Sequence, residues 1–455
     1  MSRRDEDILR DKCGVFGIWG VEKPAEYVYL GLHNLQHRGQ ESCGIVTTSS
    51  RKFYSYFGMG IVNEIFTAEI LHGLNGRAAI GHNRYSTKGS SNIENTQPLI
   101  AETRNGEVAI AHNGQFANYR SLKKELQEEG CIFKTDSDTE IILHKFARSK
   151  EKNISRIISA SFTGVKPAYS ALLLTRKELI AVRDPSGVRP LVIGRVGTGF
   201  VVASETTAFD IIGAEYIDEV KPGELVIIDD NGLSREELQP PGEELRCIFE
   251  YIYFARPDSF LFGSEVSTSE IRKELGRRLY REHPVEADIV IPVPDSSTAA
   301  ALGYSRESGI PFDFGLIRSH YIGRTFIEPT QAIRDAKVRK KYNPNRSVIR
   351  DRRVVLVEDS VVRGTTLKNL IRILRDFGAR EIHIRVSSPP YRYSCYLGIN
   401  TAETSRLIAS RYSVEKICSF LAADSLGYLS EQGLLDNKYL HGGFCTYCFN
   451  GKQKI

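Results

Sequence analysis

The stretch "RRVVLVEDSVVRGTTLKNLIRILRDFG", residues 352–378, constrains the fold more than any other part of the chain. It opens on a run of apolar, β-branched residues without alternation, the pattern of a strand buried on both faces. It then places Leu367, Leu370, Ile371 and Leu374 at helical spacing, with Lys368, Arg372 and Arg375 off that stripe. A strand buried on both faces that feeds a one-sided helix predicts a parallel sheet with helices over both of its faces. The same grammar occurs at 287–309, where "ADIVIPVP" passes through "DSST" into "AAALGYSRESG".

The N-terminal half is built differently. From Cys13 to about Leu238, strand-like runs alternate with turns: "CGVFGIWG", "CGIVTT", "AAIGHNRYST", "VAIAHNG", "YSALLLT", "LIAVRD", "LVIGR", "FVVASE" and "ELVIIDD". Helical stretches such as "YRSLKKELQEEG" and "DTEIILHKFARSK" stand apart from them, which predicts layered sheets with helices outside. "LSREELQPPGEELR" breaks the pattern with two prolines and a glycine and predicts a domain boundary near residue 240. A length of 455 residues accommodates two large domains or about three of ordinary size.

Composition narrows the class of protein. With 41% hydrophobic and 26% charged residues, the chain has enough apolar material for a packed core. A formal net charge of +5 is too small to imply nucleic acid. The leader "MSRRDEDILRDK" has no apolar centre, and no apolar run approaches the length of a membrane span. A cytoplasmic protein is expected, without membrane or nucleic-acid partners. Its eight cysteines then read as reduced thiols, metal ligands or catalytic groups rather than disulfides.

The turn after "VVLV" carries chemistry. The strand ends in Glu358 and Asp359, and Ser360, Gly364, Thr365 and Thr366 lead into the helix. In open parallel sheets ligands bind beyond the carboxyl ends of the strands, and a helix start offers free N–H groups and a positive dipole end to a phosphate. The Walker A frame is absent. Two adjacent acids beside a phosphate site suit ribose hydroxyls and a Mg2+, whereas helix capping alone has no use for the pair. The segment resembles the phosphoribosyl pyrophosphate (PRPP) motif of type I phosphoribosyltransferases. "IPVPDSSTAA" offers Asp295, Ser296 and Ser297 from the same rim. Residues 324–353, including "KVRKKYNPNR", read equally well as a solvated basic loop or as a basic lid over a departing pyrophosphate.

"LQHRGQESCGI", "GHNRYSTKG", "AHNGQFANY" and "TDSDTE" follow a "CGVFGI" start in that order. Together they resemble the glutaminase domain of the class II, N-terminal-nucleophile amidotransferases. With the PRPP loop behind it, the chain from residue 13 to about 450 resembles the family of glutamine phosphoribosylpyrophosphate amidotransferases. The implied fold is an αββα sandwich (α+β) followed by a phosphoribosyltransferase α/β domain with a parallel sheet. The expected divisions are a propeptide at 1–12, a glutaminase domain at 13–242, a phosphoribosyltransferase domain at 243–420 and a C-terminal tail at 421–455.

The chemistry suits the residues. A thiol is mostly protonated at neutral pH, but an α-amine on the same residue titrates near 8 and can act as its base. Loss of residues 1–12 would give Cys13 that amine. The resemblance further implies Asn113 and Gly114 as oxyanion donors, Arg84 on the glutamine α-carboxylate and Asp138 on its α-ammonium. Taken singly, these residues read as a turn, a surface ion pair and a helix N-cap. The resemblance also implies that Glu358, Asp359, Ser360, Arg363, Gly364, Thr365 and Thr366 bind PRPP, with Ser296, Glu358 and Asp359 at Mg2+. Glu358 stands where the family commonly has Asp.

"FCTYC" is a C-x-x-C pair, and Cys247 and Cys395 lie far from it in sequence. Four thiolates satisfy zinc or an iron–sulfur cluster, and spacing does not choose between them. The resemblance implies a [4Fe-4S] cluster on Cys247, Cys395, Cys445 and Cys448, as in the propeptide-bearing branch of the family. Cys43, Cys131 and Cys418 read as ordinary thiols. The family further implies purine-nucleotide feedback inhibitors and a homotetramer. Two rivals are a sugar-isomerising class II amidotransferase, which would have no PRPP loop, and a PRPP-sensing DNA-binding regulator, which would have no use for the glutaminase residues.

Overall fold

The structure is a computed structural model that describes residues 13–49, 51–85, 91–319, 342–399 and 403–452. The expected propeptide at 1–12 and the basic residues 324–341 lie outside this set.

The N-terminal half forms two antiparallel sheets face to face. The first has seven strands and contains Gly14–Trp19 between Gly199–Ala203 and Ala78–Arg84. The second has six strands, with Gly106–Gly114 paired to Tyr169–Leu174. Val15, Trp19, Val46 and Ile80 of the first sheet meet Ala111, Leu172, Ala181 and Val226 of the second in a shared core. Helix Pro24–Asn34 covers the outer face of the first sheet through Ala25, Val28 and Leu32. Helices Tyr119–Glu128, Glu140–Arg148 and Ile154–Phe162 cover the second. The result is the αββα sandwich expected from the sequence.

Beyond residue 246 a four-stranded parallel sheet runs in the order Ile289–Pro292, Arg353–Glu358, Glu381–Val386, Ser425–Tyr428. Alternate residues of its second strand serve opposite cores. Val355 and Val357 pack with Ile271, Leu275 and Ala301 of helices Thr268–Glu282 and Thr298–Ser308. Val354 and Leu356 pack with Leu367, Leu370, Ile371 and Leu374 of helix Thr365–Asp376. Both faces of the sheet are thereby covered, as the apolar run at 354–357 requires. Helices Thr268–Glu282 and Thr298–Ser308 approach so closely that a Cβ on Gly276 would lie 1.9 Å from the Ala300 carbonyl oxygen.

The sequence division at 420/421 needs correction. Ser425–Tyr428 pairs in parallel with Glu381–Val386, so it completes the sheet and does not belong to the tail. Residues 430–437 pack back on the same unit. Glu282 accepts from Ser430, and Asn437 Nδ2 donates to the Ile271 carbonyl.

Candidate active site

The strand register brings the N-terminal motif residues to one end of the sandwich. Gly14 faces Asn83, which sets Cys13 beside Arg84, and the Cys13 thiol lies 3.7 Å from the Tyr85 carbonyl oxygen. His82 Nε2 lies 3.1 Å from the His112 carbonyl oxygen and joins the two sheets just short of Arg84 and Asn113. Burial pulls His82 down to about 3, so the ring is neutral and serves as a hydrogen-bonded strut. Cys13 and Arg84 are both buried, which removes the surface-ion-pair reading of Arg84.

Asn113 is buried and its Nδ2 has no hydrogen-bond partner among the described residues, an uncommon condition for an amide shielded from water. Gly114 follows with φ +139, and a Cβ there would lie 2.2 Å from the Ala168 carbonyl oxygen. Asp138 does not cap the helix that begins after it. Its Oδ2 accepts from the Phe116 N–H at 2.8 Å, and its Oδ1 lies 3.9 Å from His112 Nδ1. An unpartnered amide, a buried guanidinium, a carboxylate and a thiol therefore converge on the rim where three strands begin or end. Residues 86–90, which complete one of the motifs, lie outside the described set.

The second candidate site lies at the carboxyl ends of the parallel strands. Asp359 is buried and accepts from Ser296 Oγ at 2.5 Å and from Ser360 Oγ at 2.6 Å. Glu358 accepts from Ser297 Oγ at 3.1 Å and from the Asp359 N–H at 3.0 Å. Gly364 adopts the left-handed φ of +78 and opens helix Thr365–Asp376. Arg363, Thr365 and Thr366 flank it in the same turn. Asp295, at the same carboxyl-end rim, is held by Arg318 at 2.5 Å. Carboxylate and hydroxyl oxygens from two strand ends form a hard donor set, compatible with Mg2+.

The four singled-out cysteines come together. Strand Arg246–Cys247 pairs in parallel with Phe444–Cys445, which sets Cys247 opposite Cys445. Cys247, Cys395, Cys445 and Cys448 line one pocket. Burial pushes the Cys247 and Cys448 thiols up, and the neighbouring cysteines push both further. Thiolates there need a cation among them. Among the described residues no three His, Cys, Asp or Glu side chains are grouped to hold a metal ion. Four thiols around one pocket are a donor set that either zinc or an iron–sulfur cluster accepts.

Residue-by-residue reading of the sequence missed a buried ionic group behind Cys13: Arg38, Arg189, Glu205 and Glu250 are all shielded from solvent and linked to one another. A single carboxylate inside the apolar run "CIFEYIYFA" was the available signal for Glu250.

Comparison with known proteins is specific. A family described as a glutamine amidotransferase domain matches residues 82–210, and one described as a phosphoribosyl transferase domain matches residues 269–395. The amidophosphoribosyltransferase of Bacillus subtilis (strain 168) is 46% identical over 450 residues, covering 98% of this chain and 94% of the relative. Chloroplastic amidophosphoribosyltransferase 1 of Arabidopsis thaliana is 48% identical over 99% of this chain and 80% of its own. A solved glutamine PRPP amidotransferase from B. subtilis, complexed with ADP and GMP, superposes with a TM-score of 0.92 at 46% identity, covering 97% of each chain.

Proposed function

The chain belongs to the amidophosphoribosyltransferase family, glutamine-dependent pentosyltransferases at the first step of purine biosynthesis, and on that premise we propose how its residues divide the work. We assign residues 13–242 to glutamine hydrolysis and 243 to about 429 to phosphoribosyl transfer, with the remainder as a cysteine-bearing tail. Cys13 becomes the mature N-terminus on loss of residues 1–12. Its α-amine takes the thiol proton, and the thiolate attacks the glutamine carboxamide carbon. Asn113 Nδ2 and the Gly114 N–H receive the developing oxyanion. The amide nitrogen leaves as ammonia, and water then releases glutamate from the thioester. Arg84 forks onto the α-carboxylate, and Asp138, one oxygen of which is held by Phe116, turns the other toward the α-ammonium.

In the second unit the Thr365 helix start, with Ser360, Arg363, Gly364, Thr365 and Thr366, holds the 5′-phosphate. Glu358 and Asp359 face the ribose hydroxyls. Ammonia attacks C1 as the C1–O bond to pyrophosphate breaks, giving 5-phosphoribosylamine. Ser296, Glu358 and Asp359 would hold Mg2+, which when bound neutralises charge on the departing pyrophosphate. Cys247, Cys395, Cys445 and Cys448 would hold a [4Fe-4S] cluster, which when bound cross-links the tail to the strand at the domain boundary.

The observation that carries the reading is the buried Asn113 amide, unpartnered among the described residues, at the same end of the sandwich as Cys13, in a chain whose parallel sheet ends in paired carboxylates and a glycine-started helix. Purine-nucleotide feedback is part of the proposal, supported by the relative complexed with ADP and GMP. A homotetramer and a cytoplasmic setting complete it. Glutamine consumption and pyrophosphate release, each measured with and without the other substrate, test the function. Pyrophosphate release should require PRPP and a nitrogen donor, and the active protein should have an intact mass that begins at Cys13. Full activity of a chain that retains residues 1–12, or release of pyrophosphate without a nitrogen donor, would overturn it.

A further inference from the structure

Glu250 opens the short π-helix Glu250–Phe254, beyond the 242/243 division, and yet its carboxylate reaches back behind the glutaminase nucleophile. Its two oxygens accept from Arg38 Nη2 at 2.8 and 3.0 Å, and Oε1 also accepts from Arg189 Nη1 at 3.2 Å. Arg38 Nη1 is held by Glu205, and Arg38 Nε donates to the backbone carbonyl of Cys13 at 3.2 Å. A planar guanidinium held at both terminal nitrogens has one direction left for its Nε–H, and that direction ends on Cys13.

The far side of the π-helix is fixed as firmly. Buried Arg272 donates to the Tyr251 carbonyl at 2.6 Å and to the Ala255 carbonyl at 2.8 Å. Glu205 also accepts from the Arg256 N–H at 3.0 Å and from Ser259 Oγ at 2.5 Å, so both carboxylates of the group tie the two units together. Buried ion pairs are a poor means of stabilising an interface, because desolvation offsets most of their attraction. What a saturated buried network supplies is a fixed geometry.

We propose that Glu250 is a positioning residue for glutamine hydrolysis. Acting through Arg38, it sets the direction of the Cys13 carbonyl and hence of the thiol and α-amine on the same residue. The transferase unit thus contributes a residue on which the other unit's chemistry depends. This inference rests on Cys13 being the nucleophile.

Glu250→Gln in the mature holoenzyme keeps the shape and turns an amide NH2 toward a guanidinium. The glutamine-dependent kcat should fall about 10- to 100-fold, the scale of a sub-ångström misplacement. The glutamine KM and the ammonia-dependent rate should stay within about twofold. Glu250→Asp, which keeps the charge, should lie between the two and provides the test if the amide variant does not fold. An unchanged glutamine kcat, a raised KM with kcat intact, or equal loss with both nitrogen sources would each overturn the proposal. Cys13→Ala is measured alongside. If it retained glutamine-dependent synthesis, the reading of the nucleophile would fail independently of Glu250.

Discussion

At Gly114 a side chain is excluded on two counts, by the positive φ and by the Ala168 carbonyl oxygen 2.2 Å from where a Cβ would lie. Gly114→Ala should therefore shift the Asn113–Gly114 peptide and lower stability by about 1–3 kcal/mol. It should also cost the glutamine-dependent rate about 100-fold, comparable to losing one oxyanion donor, and leave synthesis from ammonium largely intact. Denaturant midpoints and the two rates measured side by side check this. Cys13, Asn113 and Asp138 are singled out in the sequence because the short motifs around them, taken in order, resemble those of a known family, whereas each alone reads as an ordinary structural residue. Arg38 and Glu250 cannot be paired that way, since 212 positions separate two residues that touch. Only the fold reveals that the lone acid in an apolar run and the arginine of "LQHRG" answer each other.

Among elements, the strands legible in the N-terminal sequence are the interior ones. Phe53–Gly58, Leu99–Thr103, Glu215–Glu219 and Gly232–Glu237 are not, and these are the four edges of the two sandwich sheets among the described residues. All four are partly exposed, and all but the uncharged Phe53–Gly58 carry charges that discourage further pairing, so their pattern departs from the continuous apolar runs of the interior strands. The strand Ser425–Tyr428, an edge of the parallel sheet, is uncharged but only four residues long and half exposed at its start, too short to show a strand pattern. Gathering the cysteines likewise depends on pairing between remote segments, with Cys247 set against Cys445 by the parallel register. Cys445→Ser should remove a ligand without creating a void. Iron analysis and thermal melting of anaerobically prepared protein should show about four irons per chain in the parent and a joint loss of iron and Tm in the variant. One zinc per chain in the parent would contradict the assignment.

For the whole molecule, the two units are joined by buried charge as well as by a common core that runs from Ala168 and Val188 to Cys448 and Phe449. This gives the stability a defined pH dependence. Burial pushes the Glu205 carboxyl up, but His37 and Arg38 outweigh it and hold it well below 4.5. A folded pKa below the unfolded one means that its contribution is complete above about pH 4.5 and is lost as the pH falls toward the folded value. Asp184 has the opposite sign. Burial raises it to about 6, against the N–H groups of Tyr169, Ser186 and Val188, so its contribution is present below 3.8 and is lost as the pH rises through 6. Urea midpoints should thus fall on acidification below about pH 4.5, and Glu205→Gln should flatten that limb while lowering stability at neutral pH. A limb of unchanged slope in the variant would remove Glu205 from the account.

The division of one reaction between two sites is tested most directly by changing the nitrogen source. As proposed above, Cys13 would be needed only to release ammonia, whereas Asp359 would be needed wherever PRPP reacts. Cys13→Ala should abolish synthesis from glutamine and keep synthesis from ammonium at a pH where free ammonia is abundant. Asp359→Asn should lower both by two to four powers of ten, about the effect of removing one well-placed charge. If folded, iron-loaded Cys13→Ala lost the ammonia-dependent reaction as well, the two sites would not be separable in the way proposed.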